Sequence, residues 1–188
     1  MLLKLYPFLA LSGLLMAASL AAEGEPPAAS LRLILVRHAE AVQNLPNRAE
    51  FAQDKWDALT AKGAAQAVEI ARQLKGAEVA AVVVSSANRA KQTAAPIVEA
   101  LNWKGKIEEL AAFCECGKGE APEAKGKRAV EGAEALAIAH NGKTVLVVTH
   151  QHMILALLER AAKGQADLEK KKFSVPPGSV AEVLIEKG

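Results

Sequence analysis

Two short apolar runs, each followed directly by a polar strand end with a histidine, constrain the fold of this chain more than any other feature of its sequence. Residues 33–36 (LILV) lead into Arg37 and His38, and residues 144–149 (TVLVVT) lead into His150. Short apolar runs bounded by polar residues are typical of buried strands. In open α/β sheets, the carboxyl ends of the strands form the edge at which ligands bind. We therefore expect the two strand-end histidines to contribute to one site.

The composition fits one globular domain. The chain has 188 residues, of which 51% are apolar, and this is enough for one substantial core. Its net charge of +2 gives no reason to expect a nucleic acid or a membrane surface as a partner. Aromatic residues make up 4% of the chain, which argues against a surface on which bases stack.

The first 30 residues have the layout of an export signal followed by a linker. Lys4 precedes an apolar run over residues 5–22, and Ser19-Leu20-Ala21 offers small residues at the positions that a signal peptidase requires. The alternative is an uncleaved anchor helix, because the run is barely long enough to span a bilayer. We expect a signal peptide over residues 1–21, a linker over 22–30 and a single domain over 31–188. The mature protein is then exported, to the periplasm in a cell with two membranes, and has no stable association with the membrane.

The rest of the chain alternates between predicted strands and predicted helices. The strands are expected at residues 31–36, 79–84, 106–108, 144–149 and 180–185. The helices are expected from the N-cap Thr60 to Gly76, over 88–101 with a kink or restart at Pro96, through Leu136 to His140, and over 153–162, with a loop at 117–132. Alternating strands and helices are typical of a three-layer α/β/α sandwich with a mainly parallel sheet.

Export makes the two cysteines worth weighing. Cys114 and Cys116 lie two residues apart, and a disulfide that tight is strained. Two thiols without a second pair or nearby histidines also fall short of a zinc site. The pair forms either a local bridge or semi-buried thiols, and a redox role is a further alternative.

Arginines accompany the two histidines and point to an anionic ligand. Arg89 follows the second predicted strand and can reach the same edge as Arg37, His38 and His150. Adjacent basic groups repel one another, so a partly buried cluster of them is unfavourable unless an anion lies between them. The planar guanidinium groups of two arginines, together with two imidazoles, suit a phosphate dianion with its many acceptor oxygens.

Four segments extend this interpretation to most of the chain. LVRHAEAVQN, LTAKGAAQA, VVSSANRAKQTAAPI and VLVVTH occur in this order between residues 31 and 185. Together they resemble the histidine phosphatase superfamily, in its phosphoglycerate mutase-like branch. The resemblance implies that His38 is a nucleophile that becomes phosphohistidine, and that Arg37, Arg89 and His150 hold the phosphoryl group. It also implies that Asn44, at the end of the RHG-type motif, adds a donor to the phosphate.

The chain departs from the family pattern in three places. Ala39 stands where the family usually has glycine, which is a mild variation. Gln151-His152 follows His150 in place of two small residues, so that His152 either intrudes on the pocket or, as we favour, faces solvent at the start of a helix. Family members often carry a glutamate that protonates the leaving alcohol, but here Leu110-Ala111-Ala112 stands where leucine-x-glutamate is expected.

The proton donor is therefore open among three glutamates. Glu109, Glu115 and Glu120 all lie in the right interval, and we favour Glu115, with a solvated surface glutamate as the alternative. Without an acid, good leaving groups such as those of phosphohistidine, acyl phosphates or aryl phosphates are favoured; with one, alkyl phosphates come into reach. Lys118, Lys125, Lys127 and Arg128, in the predicted loop, either border the pocket and attract anions or form a solvated surface.

The sequence thus predicts a phosphatase that needs neither metal nor cofactor. It would hydrolyse phosphate monoesters or similar phosphorylated small molecules through a phosphohistidine intermediate, because neutral imidazole can attack without prior deprotonation. No carboxylate cluster is present in the sequence to hold a metal ion. The alternative is a non-catalytic phosphate-binding or sensing module of the same fold. An intact His38 favours the enzyme, since binding alone does not require a nucleophile.

Overall fold

A mainly parallel sheet organises the chain. The computed structural model describes residues 2–5, 30–115, 119–163 and 172–186. The strands in this part of the chain are β1 (Leu2–Leu5), β2 (Ser30–Arg37), β3 (Ala81–Val84), β4 (Ile107–Glu108), β5 (Thr144–Thr149) and β6 (Val180–Glu186), in the order β1-β6-β2-β5-β3-β4. Strands β2, β5, β3 and β4 run parallel, while β6 is antiparallel to both β2 and β1. The predicted mainly parallel sheet is confirmed.

Helices cover both faces of the sheet. The longer helices of the described residues are α1 (Ala61–Leu74), α2 (Asn88–Ala100), α3 (Pro122–Ala139) and α4 (Gln151–Ala162). Leu33 and Leu35 of β2 pack into a core with α3 and α4, whereas Ile34 and Val36 pack into a second core with α1 and α2. Because β2 is buried on both faces, its sequence is an almost continuous apolar run instead of an alternating one. The predicted three-layer α/β/α sandwich is confirmed.

Helix α1 begins where the sequence predicts and packs closely against the segment that follows β2. The Thr60 hydroxyl accepts a hydrogen bond from the Gly63 amide, as an N-cap does. A Cβ added to Gly63 would lie 1.9 Å from the Glu40 carbonyl oxygen. Glycine at this position therefore lets α1 approach the backbone two residues beyond His38.

The prediction of a loop over residues 117–132 is wrong for most of that stretch, because α3 begins at Pro122. Proline at the first position of a helix is favourable, since its missing N–H would have no partner there. The glycines that suggested a loop serve helix packing. A Cβ added to Gly126 would lie 2.8 Å from the Ala156 Cβ, and one added to Gly132 would lie 2.3 Å from the Ala112 Cβ.

The restart expected at Pro96 is also absent, because α2 runs through this residue as one helix. Proline removes the hydrogen bond to the carbonyl four residues earlier, which belongs to Gln92. Gln92 is exposed, so water can satisfy that carbonyl and the helix can continue.

The N-terminal prediction falls almost entirely on residues that the structure does not describe. Of the predicted signal peptide, residues 1–21, the described part is Leu2–Leu5, which pairs antiparallel with the outer edge of β6. Cleavage and export stay predictions. Cys116, Gly117 and Lys118 also lie outside the described residues, so a bridge between Cys114 and Cys116 stays a prediction as well. Within the described residues, no helix is both long and apolar enough to span a bilayer.

Candidate active site

The pairing of β2 with β5 brings the two strand-end histidines together. Arg37 at the end of β2 lies opposite Thr149 at the end of β5, in parallel register. The residues that follow, His38 and His150, therefore leave the same edge of the sheet, and their ring centroids lie 5.2 Å apart. Both side chains are almost completely buried, with exposed fractions of 2% and 1%.

His38 is held in a defined tautomer at the base of the site. Its Nδ1 lies 2.8 Å from the carbonyl oxygen of Ala39, so Nδ1 carries the proton and donates it. The Nε2 atom then keeps its lone pair. Burial, together with the positive charges of Arg89 and Arg37, lowers the pKa of His38 from 6.5 to about 4. The imidazole is therefore neutral over the whole physiological range of pH.

Arg37 is fixed by the turn before β6. Its Nη1 donates to the Val175 carbonyl, and its backbone amide donates to the Ser179 carbonyl oxygen at 2.9 Å. Gly178, with a φ of 80°, permits this turn, and its amide donates to the His38 carbonyl oxygen at 3.1 Å. Burial lowers the pKa of the Arg37 guanidinium. The Arg37 Nε–H is buried with no hydrogen-bond partner among the described residues, as expected of a site that a ligand completes.

Arg89, in the first turn of α2, is the centre of an ion-pair network. Its Nη1 lies 2.6 Å from Asp57 Oδ1, and its Nη2 lies 2.8 Å from Glu115 Oε2. Asp57 also accepts a hydrogen bond from the Asn88 amide at 2.8 Å, and so ties its own loop to the start of α2. Burial opposes ionisation of Asp57, but the hydrogen bonds from Arg89 and Asn88 outweigh it and lower the pKa of this carboxyl.

His150 links Arg89 to β3. Arg89 Nη2 donates to His150 Nδ1 at 3.1 Å, so the ring proton is on Nε2, which donates to the Ser85 hydroxyl at 2.7 Å. Burial, reinforced by the charge of Arg89, lowers the pKa of His150 from 6.5 to about 2. Like His38, it is neutral.

The structure separates the three candidate glutamates. Glu109 is exposed and pairs with Lys91 at 2.6 Å, and Glu120 pairs with Arg128 at 2.7 Å. Glu115 lines the same cavity as His38. Of the three carboxylates, Glu115 is therefore the one placed to act on a ligand.

Asn44 ends the short 3-10 turn Val42–Asn44 and also lines the cavity. Its Oδ1 accepts a hydrogen bond from the Ala41 amide at 2.9 Å. This contact fixes the side chain and leaves the amide Nδ2 as its donor end. The predicted contact with phosphate is compatible with this orientation and stays a prediction.

An open cavity of about 390 Å³ lies above these groups. Of the predicted site residues, Arg37, His38, Asn44 and Glu115 line it, while Arg89 and His150 lie behind Glu115. The rest of the lining is Gln43, Arg48, Trp56, Gln151 and His152, of which we considered only His152 from the sequence, as the less favoured alternative. The Arg48 guanidinium stacks over Trp56, with 5.3 Å between its Cζ and the ring centroid.

The position of His152 differs from the one that we favoured from the sequence. We expected it to face solvent, but it lines the cavity with 39% of its side chain exposed, and its Nδ1 lies 3.3 Å from Glu115 Oε1. The signal for this was its place two residues after His150, in the first turn of α4. For Asp57, Ser85 and the Arg48–Trp56 pair, the sequence carried no comparable signal, because only the folded backbone brings these residues to the site.

Of the basic residues between 118 and 128, Lys125 lies beside the site. Its Nζ lies 3.8 Å from Glu115 Oε1, and 13% of its side chain is exposed, so it borders the site. Lys127 is largely exposed and pairs with Glu131 at 3.8 Å within α3. Among the described residues, no group of three His, Cys, Asp or Glu side chains is arranged to hold a metal ion.

Comparison with known proteins agrees with the fold and with the geometry of the site. The sequence model of the Histidine phosphatase superfamily (branch 1) matches residues 33–121 and 113–188, which is most of the chain. The chain belongs to this superfamily. No curated protein sequence matches it significantly.

Solved structures show the same fold at low sequence identity. YhfR from Bacillus stearothermophilus superposes with a TM-score of 0.62 at 22% identity, over 81% of this chain and 90% of that one. Phosphoglycerate mutase from Bacillus anthracis gives 0.62 at 20% identity, over 84% and 88%. Phosphoserine phosphatase from Entamoeba histolytica, solved with 3-phosphoglyceric acid, gives 0.60 at 19% identity, over 81% and 89%. Relatives in the superfamily are phosphatases and mutases, which supports an activity of the phosphatase type in general.

Proposed function

We propose that this protein is an exported phosphatase that hydrolyses phosphate monoesters, and similar phosphorylated small molecules, through a phosphohistidine on His38 without a metal ion. Membership of the superfamily supports the class of reaction. The cavity, its basic floor and the state of His38 support the mechanism.

His38 is the nucleophile in this proposal. Its Nε2 lone pair attacks phosphorus, the P–O bond to the leaving group breaks, and water then cleaves the N–P bond to release phosphate. The single observation that carries the assignment is the 2.8 Å contact of Nδ1 with the Ala39 carbonyl oxygen, because it leaves Nε2 unprotonated and ready to attack.

In this proposal Arg37, Arg89 and Asn44 stabilise the phosphoryl group, and His150 orients Arg89 through the hydrogen bond from Arg89 Nη2 to its Nδ1. Phosphoryl transfer requires mainly positioning and compensation of charge on the equatorial oxygens. Losing one such donor typically raises the barrier by about 3 kcal/mol. The Arg89 Nε–H, like that of Arg37, is buried without a partner among the described residues, which fits a group that awaits an anionic ligand.

Glu115 takes the place of an anion at Arg89 in this structure. Its Oε2 lies 2.8 Å from Arg89 Nη2 and 3.5 Å from His150 Nδ1. A phosphate dianion would compete with this oxygen, and Glu115 would keep its contacts through Oε1. We therefore propose that the leaving group receives its proton from the side of the cavity on which Glu115 lies. A proton donor on that side would allow alkyl phosphates to be substrates.

The test is hydrolysis of para-nitrophenyl phosphate by the wild type and by His38→Ala, with and without EDTA. We expect wild-type activity that EDTA leaves unchanged and that His38→Ala abolishes. His140→Ala, at the end of α3 and outside the cavity, is the matched control and should behave as wild type. Because His38 is buried, thermal unfolding of each variant checks that the variant folds. If His38→Ala does not fold, His38→Gln replaces it, since glutamine fills more of the space that the imidazole leaves.

Two results would contradict the proposal. A folded but inert wild type that still binds vanadate would favour the phosphate-binding module. Activity that survives in a folded His38→Ala variant would mean that another group attacks phosphorus.

A further inference from the structure

We propose that His152 gives the proton to the leaving group and that Glu115 is the residue that positions it. This inference rests on the proposed phosphatase function and deepens it, because it decides which substrates the same cavity can hydrolyse.

The position of His152 carries the argument. It is the second residue of α4, it lines the cavity together with His38, and its side chain is 39% exposed where that of His38 is 2% exposed. Its Nδ1 lies 3.3 Å from Glu115 Oε1. A carboxylate accepts from an Nδ1–H, so Nε2 is the nitrogen of His152 that can meet a substrate.

The two cavity histidines differ in the partner of Nδ1. A carbonyl oxygen holds Nδ1 of His38, while a carboxylate holds Nδ1 of His152. A carboxylate orients an imidazole and stabilises its protonated form, as in the Ser-His-Asp arrangement. The first ring therefore suits attack on phosphorus, and the second suits storage and transfer of a proton.

Glu115 is less suited to give up a proton itself. Its Oε2 faces Arg89 at 2.8 Å, and its Oε1 faces His152 at 3.3 Å and Lys125 at 3.8 Å. If either oxygen carried a proton, Glu115 would lose one of these contacts with Arg89, His152 or Lys125. The position at which the family resemblance predicts the acid holds Ala112, which packs against Gly132 of α3. His152 thus supplies, from α4, a proton donor that the chain lacks at the expected position.

The proton balance closes over both half-reactions. As His38 Nε2 bonds to phosphorus and the P–O bond breaks, protonated His152 transfers its Nε2 proton to the departing oxygen and becomes neutral. Water then attacks the phosphohistidine, the N–P bond breaks, and His152 takes up the proton that the water loses. The cycle ends with both rings in their starting states, one alcohol released and one phosphate formed.

Several charged groups surround His152 and act on its proton. Glu115 contacts His152 directly, and Lys125 and Arg89 contact the same carboxylate. Arg37 and Arg48 line the same cavity. The test therefore measures the dependence of the rate on the leaving group.

The experiment compares wild type, His152→Asn and Glu115→Gln on a series of aryl and alkyl phosphates with leaving groups of graded pKa. General acid catalysis is typically worth 10²–10⁴-fold, so we expect His152→Asn to lose about 10²-fold in kcat/KM for the poorest leaving group. Its loss on para-nitrophenyl phosphate, which needs little protonation, should be slight. Imidazole added to His152→Ala should restore hydrolysis of poor leaving groups.

Glu115→Gln separates positioning from proton donation. It should lose less than His152→Asn on poor leaving groups, because the glutamine amide oxygen can still accept a hydrogen bond from His152 Nδ1 and orient the ring. His140→Asn and Glu109→Gln, both outside the cavity, are the matched controls.

Three outcomes would overturn the inference. Equal loss on good and poor leaving groups would make His152 a binding or packing residue. No loss in His152→Asn would place the donor elsewhere, and a full loss in Glu115→Gln with an active His152→Asn would make Glu115 the acid. All of these leave the phosphatase proposal intact, whereas an inert wild type or an active His38→Ala overturns that proposal first.

Discussion

Burial controls the charge of the two strand-end histidines. His38 and His150 lie beside two arginines and almost entirely out of water, so a proton on either ring would add an uncompensated charge to a buried cationic cluster. Their pKa values are lowered to about 4 and about 2 for this reason. The free protein thus keeps the neutral imidazole that the proposed mechanism requires, and it also carries a liability towards acid.

The liability gives a prediction for the stability of the free protein. Burial lowers the pKa of folded His38 from 6.5 to about 4, so between these values the unfolded chain binds the proton and the folded chain does not. Stability is full above pH 6.5 and falls as the pH drops towards 4, by about 1 kcal/mol per pH unit for each such histidine. His38→Asn should remove one histidine's share of this slope.

Urea unfolding at pH 7.5, 5.5 and 4.5 measures that slope, with His140→Asn as the control. Parallel slopes for wild type and a folded His38→Asn variant would mean that His38 does not stay neutral. Added phosphate should be avoided, since a bound anion would change the charge around both rings.

At the scale of the elements, α3 shows how glycine can mislead. Gly126 and Gly132 lie within a continuous helix, where glycine lowers helix propensity by about 1 kcal/mol relative to alanine. Each lies against another segment at a distance that excludes a side chain. The two glycines therefore bring α3 close to α4 and to the turn at residues 111–113, which precedes Glu115.

Gly132→Ala should destabilise the protein although alanine is the better helix former. An added Cβ would lie 2.3 Å from the Ala112 Cβ and 3.4 Å from Phe113 Cε2, and overpacking of this kind typically costs about 1–3 kcal/mol. Ala112→Gly removes the nearer contact, so the double variant should be more stable than the sum of the two single changes predicts. Chemical denaturation of all four proteins gives this coupling energy. A Gly132→Ala variant that gains stability would mean that the contact between α3 and the turn is looser than the structure has it.

Local signals account for what the sequence could predict. Strands β2 to β6, the Thr60 cap and the place of Arg37, His38, Arg89 and His150 follow from short-range patterns and from the parallel order of the strands. Strand β1 lies within the predicted signal peptide and was not predicted as a strand. The extent of α3 and the cavity position of His152 depend on which distant segment each residue meets. No periodicity within one segment reports such contacts, and for this reason these two predictions failed.

At the scale of the molecule, the site and the N-terminal strand lie in different parts of the sheet. The candidate site residues gather where β2, β5 and β3 end, in the middle of the strand order. Strand β1 is the outermost strand and pairs with β6 only. The parallel part of the sheet and both helical layers are built from residues 30–186.

A chain that begins at residue 22 should therefore fold and keep the wild-type kcat/KM for para-nitrophenyl phosphate, because removal of β1 takes away an edge pairing and a contact with α4 but no cavity residue. The same start should be found in the exported protein if the signal peptide is cleaved after Ala21, and the intact mass of protein from the periplasmic fraction measures it.

A Lys4→Glu change, which reverses the charge of the segment preceding the apolar run, should reduce export while leaving the activity of any folded protein unchanged. Full-length protein in the cytoplasmic fraction would count against export, and an active full-length protein in the membrane fraction would favour an uncleaved anchor. Loss of activity on removal of residues 1–21 would mean that β1 supports the site through β6.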